Sequence, residues 1–435
     1  MIIDGPLSPE RRQRSQKYYN LFSLLNGFSY MCLGDTVIIL LALNLNCPDY
    51  VVSTLGAMLY ASYLVLPIGK VVAARVGAVR CQSIFWILRN CAALIVAASV
   101  PVTHLGYPDL AISLLLGGAF LFYGFRAAGT VMIQPLIGDI TSEAERPLFI
   151  GSNAMFFNIA CFLALLGIIA LLHIHEDGWT LMGVVVVGSA FGLTSTHFIR
   201  KIDETSAPRE SARRPVWGEL RLCLANPVFI PQMLSGFVVN MAVIMTVPTT
   251  MLALKRGYGV SDRNALFFSL IHLTSAVIMS QLAGKVSARI GPRKVLLYCY
   301  CAFLLTALLW AVSPLQLLPV FIWMPFFLVG GAYVSSNNAT THYFLQTIPE
   351  NNRVVASIAI NVIPGALAGF VGMLLSGALL NWVNGQFADV AAIHRYRAYF
   401  TISGIILLPG IFCIKRLPPL PIEKRRLKVR WQDLF

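Results

Sequence analysis

The sequence predicts an all-α membrane protein. Twelve transmembrane helices are expected, arranged as two six-helix bundles with the N- and C-termini cytoplasmic. Three observations predict this. The 435 residues are 57% hydrophobic and only 12% charged, where a soluble chain carries about 25% charged residues. Apolar runs of about 20 residues, the length that crosses a hydrocarbon core, follow one another along the chain. A basic stretch also occurs twice: Gly69-Lys70-Val71-Val72-Ala73-Ala74-Arg75-Val76-Gly77 and Gly284-Lys285-Val286-Ser287-Ala288-Arg289-Ile290-Gly291. Both read Gly-Lys-Val, then Ala-Arg, an aliphatic residue and Gly. They lie 215 positions apart, about half the chain, which is the mark of an internal duplication.

The apolar runs place helices at 20–44, 50–69, 82–103, 109–138, 147–172 and 178–199 in the first half. The second half repeats the pattern at 229–254, 264–284, 294–314, 316–345, 354–382 and 397–415. The weakest division lies between 294–314 and 316–345, where only Ser313-Pro314 signals a turn. Between the halves, Asp203-Glu204-Thr205-Ser206-Ala207-Pro208 is polar and interrupted by proline, which reads as a linker. The expected organisation is a first bundle at 1–199, a linker at 200–227, a second bundle at 228–417 and a basic tail at 418–435.

Orientation follows from the basic residues, which favour cytoplasmic loops. With the N-terminus inside, 26 of the 33 Lys and Arg fall on the inner side. The outer loops hold five: Lys255, Arg256, Arg263, Arg395 and Arg397. The last two, Arg89 and Arg126, lie within helices. This clustering makes the net charge of +14 a topological signal and excludes nucleic acid as a partner. The nine cysteines sit mostly inside apolar runs, without zinc or disulfide spacing, so no metal or cofactor is expected. The first apolar run is long and follows Arg11, Arg12, Arg14 and Lys17. It reads as a membrane helix and not as a cleavable signal.

Six helices, an inner linker, six more helices and a Gly-x-x-x-x-Arg-x-Gly-type loop after the second and eighth helices resemble the major facilitator superfamily. The family's loop signature is Gly-x-x-x-Asp-Arg-x-Gly-Arg-Arg. Gly284, Arg289, Gly291 and Arg293 match its spacing. Arg75 and Gly77 match in the first copy, where Gly69 stands one residue too far upstream. The Asp of the signature is Ala74 in one copy and Ala288 in the other. The family uses that Asp to latch the halves on the cytoplasmic side, so the resemblance implies the fold without this latch. Asp139 and Arg146 fit the acidic-x6-Arg pattern of the family's sugar porters. Arg75, Arg80, Asp139, Arg146 and Arg289 are the expected cytoplasmic gate.

Charges inside a membrane are rare because each costs about 2.5–3.5 kcal/mol at a helix centre. Asp35 falls near the middle of the first helix and Arg126 near the middle of the fourth. The resemblance implies that the first, fourth, seventh and tenth helices line a central cavity. Asp35 and Arg126 are therefore the expected proton-coupling pair. Arg89, on the third helix, is a weaker candidate. The tenth helix carries an unusually polar run, Ser335-Ser336-Asn337-Asn338-Ala339-Thr340-Thr341-His342. Asn338 and His342 share one face of it, and that face is expected to meet the cavity. The candidate substrate-binding residues are Asn26, Tyr30, Arg126, Asn240, Asn338 and His342.

The expected function is secondary active transport of a small solute by alternating access. The reading is proton-coupled uptake of a neutral polar or anionic solute, such as a sugar or organic acid, by a multi-pass protein of the cytoplasmic (inner) membrane. The implied partners are the solute, protons and the lipid bilayer. An efflux pump for amphipathic compounds is the rival in the same class. A membrane-embedded enzyme or a non-transporting receptor is the rival outside it. The enzyme reading lacks a His-Glu-x-x-His, a phosphate loop or a Gly-x-Ser-x-Gly.

Overall fold

The computed structural model describes residues 2–48, 51, 54–55, 58, 61–175, 177–260, 262–387 and 389–420, apart from the side chains at positions 35, 262, 263 and 266. Seven positions of the predicted helix at 50–69 (50, 52–53, 56–57 and 59–60) lie outside the described residues, as does the basic tail from 421. Among the described residues, eleven helical stretches are long and apolar enough to cross a membrane.

The first span is α1 (Pro9–Cys32) followed by α2 (Asp35–Asn44). It starts earlier than its apolar run because Ser8 caps it, accepting a bond from the Arg11 N–H at 3.4 Å, with Pro9 at the first helical position. The helix breaks at Leu33-Gly34. After a 3₁₀ turn at Ser62–Val65 come α3 (Leu66–Val76), α4 (Ala78–Ala97), α5 (Pro108–Thr130), α6 (Ile133–Ile140), α7 (Arg146–Ile174) and α8 (Gly178–Ile199). The connection between the halves is more ordered than a proline-interrupted linker suggests. It forms α9 (Ala207–Arg213) and α10 (Val216–Ala225). Pro208 sits in the first turn of α9, where its missing N–H leaves no bond unmade. The second half runs through α11 (Phe229–Leu252), α12 (Asp262–Ile290), α13 (Pro292–Ala311), α14 (Pro319–Thr347), α15 (Arg353–Ile360), α16 (Ala368–Gln386) and α17 (Ala392–Leu407). Ser313-Pro314 does mark the turn between α13 and α14. Pro364 lies in a π-helical stretch, Asn361–Leu367, between α15 and α16, as expected where a proline removes a backbone donor.

The two basic stretches fold alike at their ends. Gly77 separates α3 from α4 at φ 90°, and Gly291 separates α12 from α13 at φ 85°. Only glycine adopts that backbone without strain, which accounts for the repeated Gly of the motif. The N-terminus, the linker and the ends of α6 and α14 share one face, called here the terminal face. A two-stranded parallel pairing ties the first of these to the second: β1 (Ile2–Ile3) pairs with β2 (Glu204–Thr205). Below it, one apolar cluster joins both halves of the chain. It contains Leu136, Ile140, Phe149 and Ile150 together with Phe344, Leu345, Ile348 and Ala356.

Candidate functional site

The structure places the sequence-derived residues in two groups. The first lies mid-span. The Arg126 guanidinium sits over the Tyr30 ring at 4.9 Å, and Tyr30 packs on Phe157 at 5.3 Å. Tyr333 of α14 stands within electrostatic reach of Tyr30, Tyr63 and Arg126. Tyr333 is 39% exposed although it lies mid-helix. Asn337, one turn further along the same face, is exposed too. Tyr30 and Tyr333, one from each half of the chain, stand near Arg126. Asp35 is the first residue of α2, and its side chain lies outside the described residues.

Tyr63, Tyr333 and Asn337 were not picked out from sequence. Asn338 and His342 do share a face, but that face meets α12 and not the cavity. Asn338 donates to the Ser280 carbonyl at 3.3 Å, and His342 Nδ1 contacts Ser287 Oγ at 2.7 Å. Both residues are buried. The helical period fixes which side chains share a face, not which neighbour that face meets. The signal for the cavity stripe was the Tyr333/Asn337 pair, four residues apart.

Asn26 and Asn240 are also committed within the protein. Asn26 Oδ1 accepts from Trp86 Nε1 at 2.9 Å and from Arg89 at 3.1 Å. Asn240 donates to the Gly236 carbonyl of its own helix at 2.9 Å. Arg89 is 2% exposed. It donates to Ser29 Oγ at 3.1 Å and lies against the rings of Trp86 and Phe122.

The second group closes the terminal face. Arg146 donates to the Leu345 carbonyl of α14 at 3.0 Å and to Thr141 Oγ1 at 3.3 Å. Arg353 donates to the same carbonyl at 3.3 Å and pairs with Glu350 at 3.1 Å. Two buried guanidinium groups from opposite halves thus converge on one oxygen. Beside them α7 and α12 touch backbone to backbone: a Cβ on Gly284 would lie 2.6 Å from the Pro147 carbonyl and 3.2 Å from Gly151 Cα. Deeper in the span, Asn158 donates to Ser280 Oγ across the same seam at 3.3 Å.

The expected gate network is not assembled as the sequence suggested. Asp139 does not meet Arg75 or Arg80. It accepts from the Thr205 N–H at 2.6 Å and from the Thr205 hydroxyl. Arg75, Arg80 and Arg289 are exposed. Arg75 takes part through its backbone, its carbonyl accepting from Arg209 at 3.0 Å. The linker takes up Asp139 and the Arg75 carbonyl instead, through Thr205 and Arg209.

The linker docks by an ordered set of bonds. Lys70 donates to the carbonyls of Ala212 at 2.8 Å and Arg214 at 2.6 Å. Arg213 donates to the Ala74 carbonyl at 3.1 Å. Ser211 Oγ accepts from the Val354 N–H, at the start of α15, at 3.3 Å. Glu204 Oε2 accepts from the N–H groups of Ala78 at 2.8 Å and Val79 at 3.0 Å, capping α4. Burial pushes the Glu204 carboxyl up to about 7, against the downward pull of those two N–H donors. The linker therefore touches the first basic loop and the first turn of α15 at once.

The profile of the Major Facilitator Superfamily matches residues 20–373. The chain belongs to that superfamily. Solved structures agree on the fold. The proton:xylose symporter XylE bound to 6-bromo-6-deoxy-D-glucose aligns with TM-score 0.69 at 13% identity, over 95% of this chain and 97% of that one. A bacterial homologue of the iron transporter ferroportin in an outward-facing state aligns with TM-score 0.70 at 13% identity, over 93% of this chain and 99% of that one. The same homologue with soaked iron aligns with TM-score 0.66 at 12% identity, over 91% and 98%. No curated protein sequence matches the chain significantly. At the first basic loop the seam is filled by linker residues.

Proposed function

We propose that this protein is a secondary transporter that carries a small solute by alternating access, standing here with its terminal face closed. The observation that carries this reading is the clamp in which Arg146 and Arg353, from the two halves, share the Leu345 carbonyl. A clamp of a few charge-assisted bonds is strong enough to bias a conformation and weak enough to be released in a cycle. The reading takes the two halves as six-helix bundles, 1–199 and 228–417, in twelve helices with 50–69 as the second. It takes the 200–227 connection and both termini as cytoplasmic, because 26 basic residues stand on that side against five on the other. The membrane is then the cytoplasmic (inner) one.

Uptake driven by protons, of a neutral polar or anionic solute, is the favoured mode. The proton:xylose symporter among the structural neighbours supports it, as does the position of Asp35 at the start of α2, in the membrane span that carries Tyr30. Asp35 with Arg126 is the proposed coupling pair. Separation of the pair in one conformation and its closure in the other would alternate the carboxylate's proton affinity. The test uses solutes found in a thermal-shift panel of sugars, organic acids, amino acids and nucleosides, where saturating ligand adds about 2–3 kcal/mol of stability. Uptake of those solutes into proteoliposomes is measured with and without an imposed pH gradient. Asp35→Asn is expected to abolish accumulation yet spare counterflow exchange. Accumulation equal to the parent's would remove Asp35 from the coupling role.

A further inference from the structure

The charge balance around Arg126 bears on the class of solute. Arg89 is 2% exposed. Its contacts are the neutral acceptors Asn26 Oδ1 and Ser29 Oγ and the faces of Trp86 and Phe122. Its Nε has no hydrogen-bond partner. No carboxylate among the described residues pairs with it. Yet Phe122, whose ring it faces, lies one turn from Arg126 on α5, and Ser29, which it bonds, is next to Tyr30, which lies under Arg126, so the two guanidinium groups stand close together. Between Gln16 and Gly138 the acids are Asp35, Asp49 and Asp109. Asp109 is in the first turn of α5, at the far end of that helix from Arg126. Asp35 is the single acid the sequence places at the depth of the two arginines, and one carboxylate balances one guanidinium. Even with Asp35 ionised the site keeps an uncompensated positive charge.

A buried arginine that pays no structural dividend as an ion pair is costly in a membrane. Its cost is recovered if the occupant of the cavity is negative. The cavity wall supplies the rest of the recognition. Tyr30, Tyr63, Phe157 and Tyr333 offer flat apolar faces, and Asn337 adds an amide. We propose that the solute is an organic anion with a flat or apolar body, its carboxylate or equivalent group drawn to Arg126 by the joint field of Arg126 and Arg89. Arg89 acts here without touching the solute, as a fixed charge behind the site. This rests on the transporter reading and narrows its substrate class.

The test compares isosteric pairs that differ in charge alone: benzoate against benzamide, and nicotinate against nicotinamide, with D-xylose as a neutral polyol. Binding to the purified full chain is read by thermal shift and by calorimetry. The acids are expected to bind at least about tenfold more tightly than their amides, the scale of one extra charge interaction near a protein interior. Arg89→Gln should erase most of that preference, and Arg89→Lys should keep it, since the lysine restores the charge without the guanidinium shape. The lysine variant also serves if the glutamine variant does not fold. Equal binding of acid and amide, tighter binding of D-xylose, or failure of every acid to bind would overturn the anion class. So would an acid preference untouched when residue 89 is neutral. Acid-selective binding with no counterflow of labelled benzoate or nicotinate in proteoliposomes would leave the anion site standing and count against the transporter reading instead.

Discussion

The two basic loops are copies in sequence and opposites in use. Aligned on Gly77 and Gly291, Lys70 of the first copy corresponds to Gly284 of the second. Gly284 has no side chain, and α12 lies directly against α7 there, with 2.6 Å between a hypothetical Cβ and the Pro147 carbonyl. Lys70 is buried and reaches the other way, into the linker, onto the carbonyls of Ala212 and Arg214. One copy closes the seam between the halves by removing a side chain. The other closes it through a third element, since α9 is bonded both to the first loop and, by Ser211, to the start of α15. The lesson is that duplicated sequence does not impose duplicated contacts. A difference at one position sends one seam through backbone contact and the other through a mediator.

The largest test of this comparison is Gly284→Val. The atoms its branched side chain meets are backbone atoms of Pro147 and Gly151, which cannot swing aside. The expected cost of overpacking is about 3 kcal/mol, taken from the closed arrangement and not from each half. Spin labels on the exposed positions 75 and 289 should therefore move apart. Gly69→Val provides the contrast. Its Cβ would strike the Ala128 carbonyl at 2.0 Å, within the first half, so it should lower the melting temperature without changing the label distance. Equal movement of the labels in both variants would break the comparison.

A somewhat smaller effect is expected from Lys70→Met. Methionine keeps the apolar stem but leaves two carbonyls of the linker without their donor. Loss of a charged hydrogen bond costs about 2 kcal/mol, released as undocking of α9. Trypsin should then cut at Arg209 or Arg213 about tenfold faster or more, by the exponential relation between opening free energy and rate. Lys285→Met changes an exposed side chain on the other copy and should leave that cleavage unchanged.

The spans were legible in the sequence because long apolar runs have one physical explanation. So was Gly77/Gly291, since a repeated Gly after Arg-aliphatic marks a forced turn. The docking of the linker was not legible. Its bonds run from side chains to distant backbone carbonyls, as from Lys70 to Ala212 or Arg213 to Ala74, and carbonyls carry no residue signature. The same holds for Leu345, whose carbonyl anchors the clamp while its side chain reads as ordinary core. Arg89 was legible as a rare intramembrane charge, but its neutral surroundings appear only when α1, α4 and α5 are seen to pack together.

The smallest and sharpest prediction concerns Glu204, which belongs to the first seam and has no counterpart in the second. Its carboxyl is buried, with its ordinary value of 4.5 raised to about 7 by desolvation. Asp139, nearby, adds to that rise, and the N–H groups of Val79 and Ala78 oppose it. Because the folded value lies above the unfolded one, the folded protein binds the proton more tightly between the two. The stability this site contributes is therefore full below about pH 4.5 and is lost as pH rises to about 7. Integrated over pH 5 to 7, that loss is about 2 kcal/mol. Glu204→Gln keeps an oxygen acceptor for the two N–H donors and cannot ionise. Its thermal unfolding should lose this part of the pH slope between 5 and 7, with the variant more stable than the parent at pH 8. Trypsin cleavage of the parent's linker should accelerate over the same window, and that of the variant should not. A parent whose linker resists cleavage equally at pH 5 and pH 8 would show that the acid does not govern docking. The asymmetry of the two seams would then rest on Lys70, Arg209, Ser211 and Arg213.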